Sequence, residues 1–227
     1  MEYLPGGLTL HVPTEAFPFS TDSAVLAHFV RLPKNAKVLD LGAGCGTLGL
    51  MLCAKSTGCT VTGVEIDPAA HAAAEENIIR NGLQSRMNSL CADLRAFVPE
   101  HGAYQVCVSN PPYFSGGFSS ATHPVARQDD TCPPEVLFAA AGRALKYGGD
   151  FFLVHKPEKL AQLITCAAPN GLEAKRLRLI RHRPEGPVAL ILLHFKKGGK
   201  PGLVWDEQCL YTSGGEHTPY FKEVYHI

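Results

Sequence analysis

The chain has 227 residues, 45% of them hydrophobic and 19% charged, which favours one α/β domain with a sizeable core over a disordered chain. Its apolar runs are shorter than the roughly 18 residues that cross a bilayer, and residues 1–6 lack the basic and apolar regions of a secretory signal, so we expect a cytoplasmic protein. The formal net charge is zero, but a polyanion-binding protein need not be basic overall if one of its faces is.

Strand-like and helix-like segments alternate along the middle of the chain. After a short helix at about 23–31, we expect strands at 37–41, 60–66, 87–92, 104–109 and 150–155, and helices at 47–55, 68–80, 134–146 and 158–168. Pro68 opens a helix at a position where its missing N–H costs nothing, and Asn81-Gly82 ends that helix. Such alternation is typical of βαβ units, which build a parallel sheet.

The last two strand patterns, at 172–181 and 187–197, are joined only by the short turn 182–186. Strands joined so briefly must be antiparallel, because a parallel crossover needs a dozen or more residues. The apolar run 189–193 is typical of a central strand. The predicted fold is therefore Rossmann-like α/β, with a seven-stranded, mostly parallel sheet, a C-terminal antiparallel hairpin and helices on both faces. Residues 198–227 are expected to be irregular.

A glycine-rich turn, Gly42 to Gly46, follows the first strand and opens a helix. Its glycines allow a tight turn and let a ligand approach the backbone closely. Glu65 ends the second strand, where a carboxylate can accept both hydroxyls of a ribose. Asp40 would repel a pyrophosphate but attract the ammonium group of a methionine moiety, which favours S-adenosylmethionine over NAD. The alternative is a glycine-rich turn without a ligand.

The pattern Asp40-x-Gly42-x-Gly44-x-Gly46 resembles the first motif of the S-adenosylmethionine-dependent methyltransferase superfamily. By that resemblance, Glu65 would bind the ribose of the cofactor and Asp93 would accept a hydrogen bond from its adenine amino group. The product would be S-adenosylhomocysteine. Asp67, just before Pro68, is interpreted as belonging to the start of a helix.

The segment Asn110-Pro111-Pro112-Tyr113 follows the fourth strand. In an open α/β sheet, the carboxyl ends of strands at the switch point face the ligand crevice, so Asn110 should lie beside the transferable methyl group. The Asn110 side-chain oxygen and the Pro111 carbonyl could each accept one hydrogen of an exocyclic amine and aim its lone pair at that methyl group. Tyr113 offers a flat face for stacking a base. The alternative is a Pro-Pro turn after a buried strand.

These four residues match the Asn-Pro-Pro-(Tyr/Phe) signature of amino-methyltransferases, which act on adenine N6, guanine N2 or a glutamine amide. We interpret all four as catalytic. The chemistry needs no covalent enzyme intermediate, so no cysteine is assigned a role. The eight cysteines lack the spacing of zinc ligands or of a Cys-x-x-Cys motif, and we expect reduced thiols and no metal.

The whole chain resembles the bacterial adenine-N6 methyltransferases of valine tRNA. The resemblance rests on Phe17-x-Phe19-Ser20-x-Asp22, on the two motifs above followed by Phe114, and on Ala126-Arg127. Gln128-Asp129 stands where the family usually has His-Glu. The resemblance implies methylation of the adenine beside the anticodon, with tRNA as partner, no membrane and no obligate protein partner. The cofactor-binding candidates are Asp40, Gly42, Gly44, Gly46, Glu65, Asp93, Asn110, Phe19 and Thr21.

Residues 171–200 hold an excess of positive charge, with eight basic and two acidic side chains. Because Leu177 and Leu179 alternate with Arg176 and Arg178, one side of that strand should be buried and the other solvent-facing. Such a basic strand can meet phosphates or remain a plain solvated face. The RNA-binding candidates are Phe114, Arg127, Arg176, Arg178, Arg181 and Arg183. The loop 114–133 could order over a flipped adenine or be a plain surface loop.

Three segments are distinguished. Residues 1–35 form an N-terminal extension expected to cap the cofactor site, residues 36–200 form the methyltransferase domain, and residues 201–227 form an extension packed on it. Two alternatives remain within the class, a protein glutamine N5-methyltransferase acting on release factors and an rRNA guanine N2-methyltransferase. The first usually carries a helical N-terminal domain, for which about 35 residues are too few. A DNA adenine methyltransferase would need a target-recognition region, and intact motifs disfavour a silent nucleotide-binding scaffold.

Overall fold

The protein is built around one large twisted sheet. The computed structural model describes residues 2–4, 7–13, 19–111 and 132–226. A small antiparallel pair, β1 (Glu2–Tyr3) and β2 (Thr9–Leu10), precedes the sheet. The sheet itself has eight strands, which are β3 (Lys37–Leu41), β4 (Thr60–Glu65), β5 (Met87–Cys91), β6 (Tyr104–Ser109), β7 (Leu145–His155), β8 (Leu172–Arg181), β9 (Val188–Lys197) and β10 (Val204–Cys209).

Six α-helices surround the strands in the described part of the chain. They are α1 (Thr21–Phe29), α2 (Thr47–Lys55), α3 (Pro68–Arg80), α4 (Pro134–Ala144), α5 (Leu160–Ala167) and α6 (Pro219–Tyr225). The caps explain the bounds of α3. Asp67 Oδ1 accepts a hydrogen bond from Ala69 N at 2.8 Å, and Gly82 follows the helix with a φ of 65°. None of the helices described here is both long and apolar enough to span a membrane.

The strand order is β10-β8-β9-β7-β6-β3-β4-β5. Every strand of this sheet except β9 runs in the same direction, because β9 pairs antiparallel with both β7 and β8. The predicted hairpin and the central position of its second strand are therefore confirmed. The carboxyl ends of the seven codirectional strands meet at one edge of the sheet, which we call the strand-end edge. The order reverses at β3, between β6 and β4, so the switch point lies there.

Each face of the sheet has its own core. On one face, α1, α2 and α3 cover β3, β4 and β6 with buried residues such as Leu26 and Leu50. On the other face, Phe138 of α4 packs edge-on against Phe151 and Phe195, with ring centroids 5.3 and 5.1 Å apart. Burying one such side chain contributes about 1.5–3 kcal/mol. The predicted α/β layers, with helices on both faces, are confirmed.

The C-terminal segment departs from the expectation. Residues 198–227 were expected to be irregular, and this prediction was wrong, because β10 adds an eighth strand in parallel with β8 and α6 follows it. The sequence of β10, Val-Trp-Asp-Glu-Gln-Cys, lacks the apolar alternation that marks a strand. Its side chains instead find their partners across the strand pair, in the arginines of β8.

Candidate active site

The ends of β3 and β6 are fastened to each other at the switch point. Ser109, the last residue of β6, is fully buried, and its hydroxyl donates to the Leu41 carbonyl at 2.6 Å. The glycine-rich turn leaves β3 at Leu41, and the Asn110 segment leaves β6 one residue after Ser109. The two motifs that the sequence analysis selected therefore start from neighbouring, hydrogen-bonded strand ends.

The glycine-rich turn has the backbone that its sequence predicts. Gly42, Gly44 and Gly46 have φ values of 75°, 54° and 83°, a region that side chains with a Cβ rarely adopt. A Cβ built on Gly42 or Gly44 would meet no described atom within 4 Å. Open space therefore adjoins the turn on the side from which a ligand could approach the backbone. Gly46 then serves as the N-cap of α2.

Glu65, the last residue of β4, braces this turn. Its Oε2 accepts a hydrogen bond from Gly44 N at 2.7 Å, and its Oε1 accepts one from Asp67 N at 2.8 Å. Each carboxylate oxygen has a second lone pair for a ligand hydroxyl. The same residue thus holds the turn in shape and presents acceptors next to it.

Asp40 lies beneath the turn and is 1% exposed. Burial, and then the nearby negative charge of Glu65, raise the pKa of its carboxyl from 3.8 to about 7. Its Oδ2 is buried and accepts no hydrogen bond from any residue that the structure describes. A buried acceptor without a donor costs free energy, and a donor with positive charge would offset that cost most effectively. These residues fit the charged and polar end of S-adenosylmethionine.

Asp93 follows β5 and is engaged with Arg95. Its two carboxylate oxygens accept hydrogen bonds from the Arg95 backbone N and guanidinium at distances of 2.7 to 3.1 Å. These bonds hold the pKa of the Asp93 carboxyl below its ordinary value. Arg95 therefore competes with any adenine amino group for the same oxygens, although a carboxylate can accept more than these donors provide.

Asn110 is held by the first turn of α1. Its Nδ2 donates to the Ser23 hydroxyl at 2.9 Å, and the Ser23 side chain is buried. This bond fixes which way the amide points. Pro111 is buried directly after it. Pro112, Tyr113, Phe114 and Arg127 lie outside the described residues, as does Phe17.

Phe19 and Thr21 lie at the start of α1, on the same side of the sheet as Asn110. The Phe19 backbone N donates to Glu2 Oε2 at 2.9 Å, and the Thr21 hydroxyl lies 3.1 Å from the hydroxyl of Tyr225 in α6. The two candidates therefore join the N-terminal segment, α1 and α6 near the strand ends.

Sequence reasoning missed several residues that organise this region. Ser23 and Ser109 position the segment that carries Asn110, and buried Asn77 of α3 donates to the Cys45 carbonyl of the glycine-rich turn at 3.0 Å and to the His11 carbonyl at 2.8 Å. His155, only 8% exposed, ends β7 beside β6. A serine in a helix or at a strand end carries no distinctive sequence signal, and Asn77 could have been found only as a polar residue among the alanines of its helix.

The arginines of β8 do not form the solvent-facing surface that the alternation predicted. The Arg176 and Arg178 side chains are 19% and 13% exposed, and both guanidinium groups lie over the ring of Phe29. Arg178 binds Asp206 of β10 through two hydrogen bonds of 2.6 and 2.7 Å. The expectation of a fully solvent-facing side was wrong, because α1 and α6 pack against it; Arg176 and Arg178 instead line a cavity of about 510 Å³ together with His28 and Lys55.

The two arginines at the strand-end edge differ from each other. Arg181 Nε lies 2.9 Å from Glu207 Oε1. Arg183, in the turn after β8, is exposed and is in no ion pair with a described residue. Of the four arginines selected from the hairpin, Arg183 is thus the one whose charge is available at this edge.

All eight cysteines are free thiols. Burial raises the pKa of the Cys107 thiol, and burial together with Glu65 raises that of Cys45 to about 11. Both groups are therefore protonated at neutral pH. In the described ranges, His, Cys and carboxylate side chains do not gather in groups of three or more that could hold a metal ion.

Comparisons with known proteins match this arrangement. A family model described as "Methyltransferase small domain" matches residues 19–165. A tRNA1(Val) (adenine(37)-N6)-methyltransferase of Tolumonas auensis is 31% identical over 211 residues, covering 91% of this chain and 87% of the relative. One of the same name from Bacteroides fragilis is 30% identical over 217 residues, covering 92% and 91%. A crystal structure described as a predicted O-methyltransferase from Agrobacterium tumefaciens shares the fold, with a TM-score of 0.77 at 20% identity over 91% of this chain and 96% of that one.

Proposed function

Since the chain belongs to the methyltransferase small domain family, we propose that it transfers a methyl group from S-adenosylmethionine to the exocyclic N6 of an adenine in tRNA. The resemblance predicted from the two motifs is confirmed by the family match. One observation carries the proposal furthest. Ser23 orients the Asn110 amide directly after β6, and β6 lies next to β3, the strand that leads into the glycine-rich turn.

The cofactor would be bound by the turn and the two carboxylates beside it. Asp40 provides the buried acceptor for an ammonium group, and Glu65 provides acceptors for ribose hydroxyls while it braces Gly44. Gly42 and Gly44 leave room for the ligand against the backbone. Asp93, Phe19 and Thr21 remain proposed contacts at the adenine and at the open side. When bound, S-adenosylmethionine supplies a sulfonium methyl group that a nucleophile can displace.

The acceptor adenine would be held by the segment after β6. Its N6 is a poor nucleophile because the nitrogen lone pair is delocalised into the ring. If the Asn110 amide oxygen and the Pro111 carbonyl each accept one N6 hydrogen, the nitrogen becomes pyramidal and its lone pair points away from both. Positioning and electrostatics then account for the rate, without a covalent intermediate. Pro112 would stiffen this segment, Tyr113 would stack the base, and Phe114 and Arg127 would hold the surrounding RNA.

The relatives' names give the proposed position. They are named as methylating adenine 37 of tRNA1(Val), so we extend the proposal to the adenine beside the anticodon of valine tRNA. A tRNA-modifying enzyme acts where tRNA is found, and we retain the cytoplasmic location as part of the proposal. Residues 1–35 would cap the cofactor site, and residues 201–227 would complete the domain of residues 36–200.

The proposal is tested by offering the protein its competing substrates together. We would incubate it with tritiated cofactor and with tRNA, rRNA, DNA and release factor, and then identify the labelled nucleoside or amino acid. The expected product is N6-methyladenosine in tRNA. Labelled methylglutamine would support the release-factor alternative, and N2-methylguanosine in rRNA would support the other; either would refute adenine as the acceptor.

A further inference from the structure

A row of stacked aromatic rings extends along the strand-end edge after β10. We define the aromatic row as His217, Phe221 and Tyr225, with Tyr211 beside it. The His217 and Phe221 rings are 3.9 Å apart and inclined by 10°, and the Phe221 and Tyr225 rings are 4.4 Å apart and inclined by 23°. Tyr211 flanks the row, with its ring 5.4 Å from that of Phe221. Their flat faces thus follow one another as bases do in a stack.

The row leads towards the proposed acceptor site. At its inner end, the Tyr225 hydroxyl contacts the Thr21 hydroxyl at 3.1 Å, and the Tyr225 ring meets Phe19 edge-on at 6.3 Å. Two residues further along α1, Ser23 holds the Asn110 amide. The outer end of the row, His217, follows β10 in the chain. β10 is four strands from β6 in the sheet, and the two strands are therefore about 19 Å apart at roughly 4.8 Å per strand. A nucleic acid strand with one base at Asn110 can reach this row.

The outer end is open to solvent. His217 is exposed, while Phe221, Tyr225 and Tyr211 are half-buried. A stack that ends in an exposed imidazole presents a flat surface on which a further ring can be added.

The surrounding charges indicate which part of an RNA would lie here. Arg183 lies beside the turn that carries His217, since its guanidinium is 3.5 Å from a Cβ built on Gly215. Two carboxylates, Glu185 and Glu216, also lie in these turns, and Glu185 accepts a hydrogen bond from Ser213 at 3.0 Å. Such a mixture does not attract a run of phosphates, but it does not oppose the stacking of uncharged bases.

We propose that the aromatic row is a stacking platform for unpaired RNA bases that neighbour the target adenine. Sequence-specific proteins often recognise single-stranded RNA loops by stacking splayed bases on aromatic side chains. The inference rests on the proposed function for its choice of RNA. It assigns to the C-terminal segment a recognition role that is separate from methyl transfer.

The test measures binding and stacking independently of methylation. The full-length protein is titrated into an anticodon stem-loop RNA of valine tRNA with 2-aminopurine next to the target adenine. His217→Ala should weaken binding about five- to tenfold, the lower part of the range for one lost base contact, and reduce the change in 2-aminopurine fluorescence. His217→Trp should restore both, because it restores a flat ring. Raising the salt concentration should change the ratio between native protein and His217→Ala little.

Two variants act as controls. Trp205→Ala removes another exposed aromatic ring, which is 68% exposed near the opposite end of β10, and should leave binding unchanged. Tyr147→Ala removes a ring that is 82% exposed near the start of β7, away from the strand-end edge, and should also leave binding unchanged. Thermal unfolding checks that His217→Ala is folded.

The outcomes separate the inference from the proposed function. If native protein methylates tRNA but His217→Ala binds as tightly as native protein, the aromatic row is overturned and the proposed function stands. If the row-dependent binding is seen but tRNA is not methylated, the platform stands and the proposed function fails. If His217→Trp is as weak as His217→Ala, stacking is refuted as the cause.

Discussion

Two regions of the strand-end edge differ in how well their sequences predict their structures. Around β3 and β6, short motifs such as Gly42 to Gly46 adopt the local backbone that their own residues predict. Around β8 and β10, arginines that look like an exposed basic strand are paired with acids 26 to 28 residues later. A sequence indicates the local backbone conformation of a segment, whereas charge pairing across a sheet depends on which strand becomes the neighbour.

The difference has a functional consequence. The charge of Arg178 is used within the fold, where it binds Asp206 and covers Phe29 and Tyr220. Arg183 has no such partner among the described residues. The excess of positive charge in the sequence is therefore much smaller at the edge where RNA would approach. The following variants test this contrast, from the largest expected effect to the smallest.

Asn110→Ala should have the largest effect. It removes the proposed acceptor for an N6 hydrogen but keeps Asp40, Glu65 and the glycine-rich turn, so kcat should fall about a hundred- to a thousandfold while cofactor affinity is largely retained. Single-turnover kinetics and calorimetry measure the two quantities. Asn88→Ala, an exposed amide on β5, is the matched control, and turnover that survives in Asn110→Ala would refute the mechanism.

Asp40→Asn should weaken cofactor binding about ten- to a hundredfold, the range for losing a hydrogen bond to a charged group. In the native protein, the pKa of about 7 means that the carboxyl is largely protonated at pH 5.5. Cofactor affinity should therefore rise from about pH 5 to 7 as Asp40 ionises and attracts the ammonium group. Calorimetry at several pH values measures this, and a flat profile in the native protein would contradict the assignment.

The raised pKa of Asp40 also affects the free energy of unfolding, which changes with pH in the opposite direction to cofactor affinity. Folding raises the pKa of Asp40 above its ordinary value of 3.8, so the folded chain holds this proton more tightly than the unfolded chain. Its contribution to the free energy of unfolding is present below about pH 4 and is lost as the pH rises to about 7. Asp40→Asn should remove that pH dependence, while Asp67→Asn, at the helix cap, should not.

Ser23→Ala should lower kcat about tenfold through loss of orientation at Asn110, with little change in the KM for tRNA. Because Ser23 acts through Asn110, the double variant should be no slower than Asn110→Ala alone. If the two effects multiply instead, Ser23 has a separate role and the hydrogen bond does not position the amide.

Arg178→Met should lower the free energy of unfolding by about 1–3 kcal/mol, since it breaks two charged hydrogen bonds and leaves Asp206 without them. The KM for tRNA should stay near that of the native protein at temperatures where the variant is folded. Urea unfolding measures the first quantity. A stable Arg178→Met with weak tRNA binding would restore the original hypothesis of a basic RNA-binding strand.

Arg183→Met is the smallest change and the counterpart of Arg178→Met. It should leave the free energy of unfolding unchanged and raise the KM for tRNA about two- to fivefold. The slope of the logarithm of the binding constant against the logarithm of the salt concentration should become shallower by about one. An unchanged salt slope would show that Arg183 does not meet a phosphate.

The sequence predicted most of the fold but only part of the candidate site. The bounds of β3, α2, α3, β6 and β8 agree with the expected segments, because glycine, proline and apolar periodicity act locally. β10 was missed because its residues do not alternate between apolar and polar. Its acidic side chains pair instead with arginines of β8. Ser23 was missed for a similar reason, since its hydroxyl acquires a meaning only when α1 packs beside the end of β6.

The central claim is that the segment after β6 presents one adenine of tRNA for methylation at N6. It is tested most directly with two valine tRNA transcripts, one with adenine and one with guanine at position 37. Each is incubated with native protein and labelled cofactor and then mapped by nuclease digestion and mass spectrometry. The account predicts one N6-methyladenosine at position 37 of the first transcript and no label in the second. Equal labelling of both transcripts, or a methyl group at another position, would contradict it.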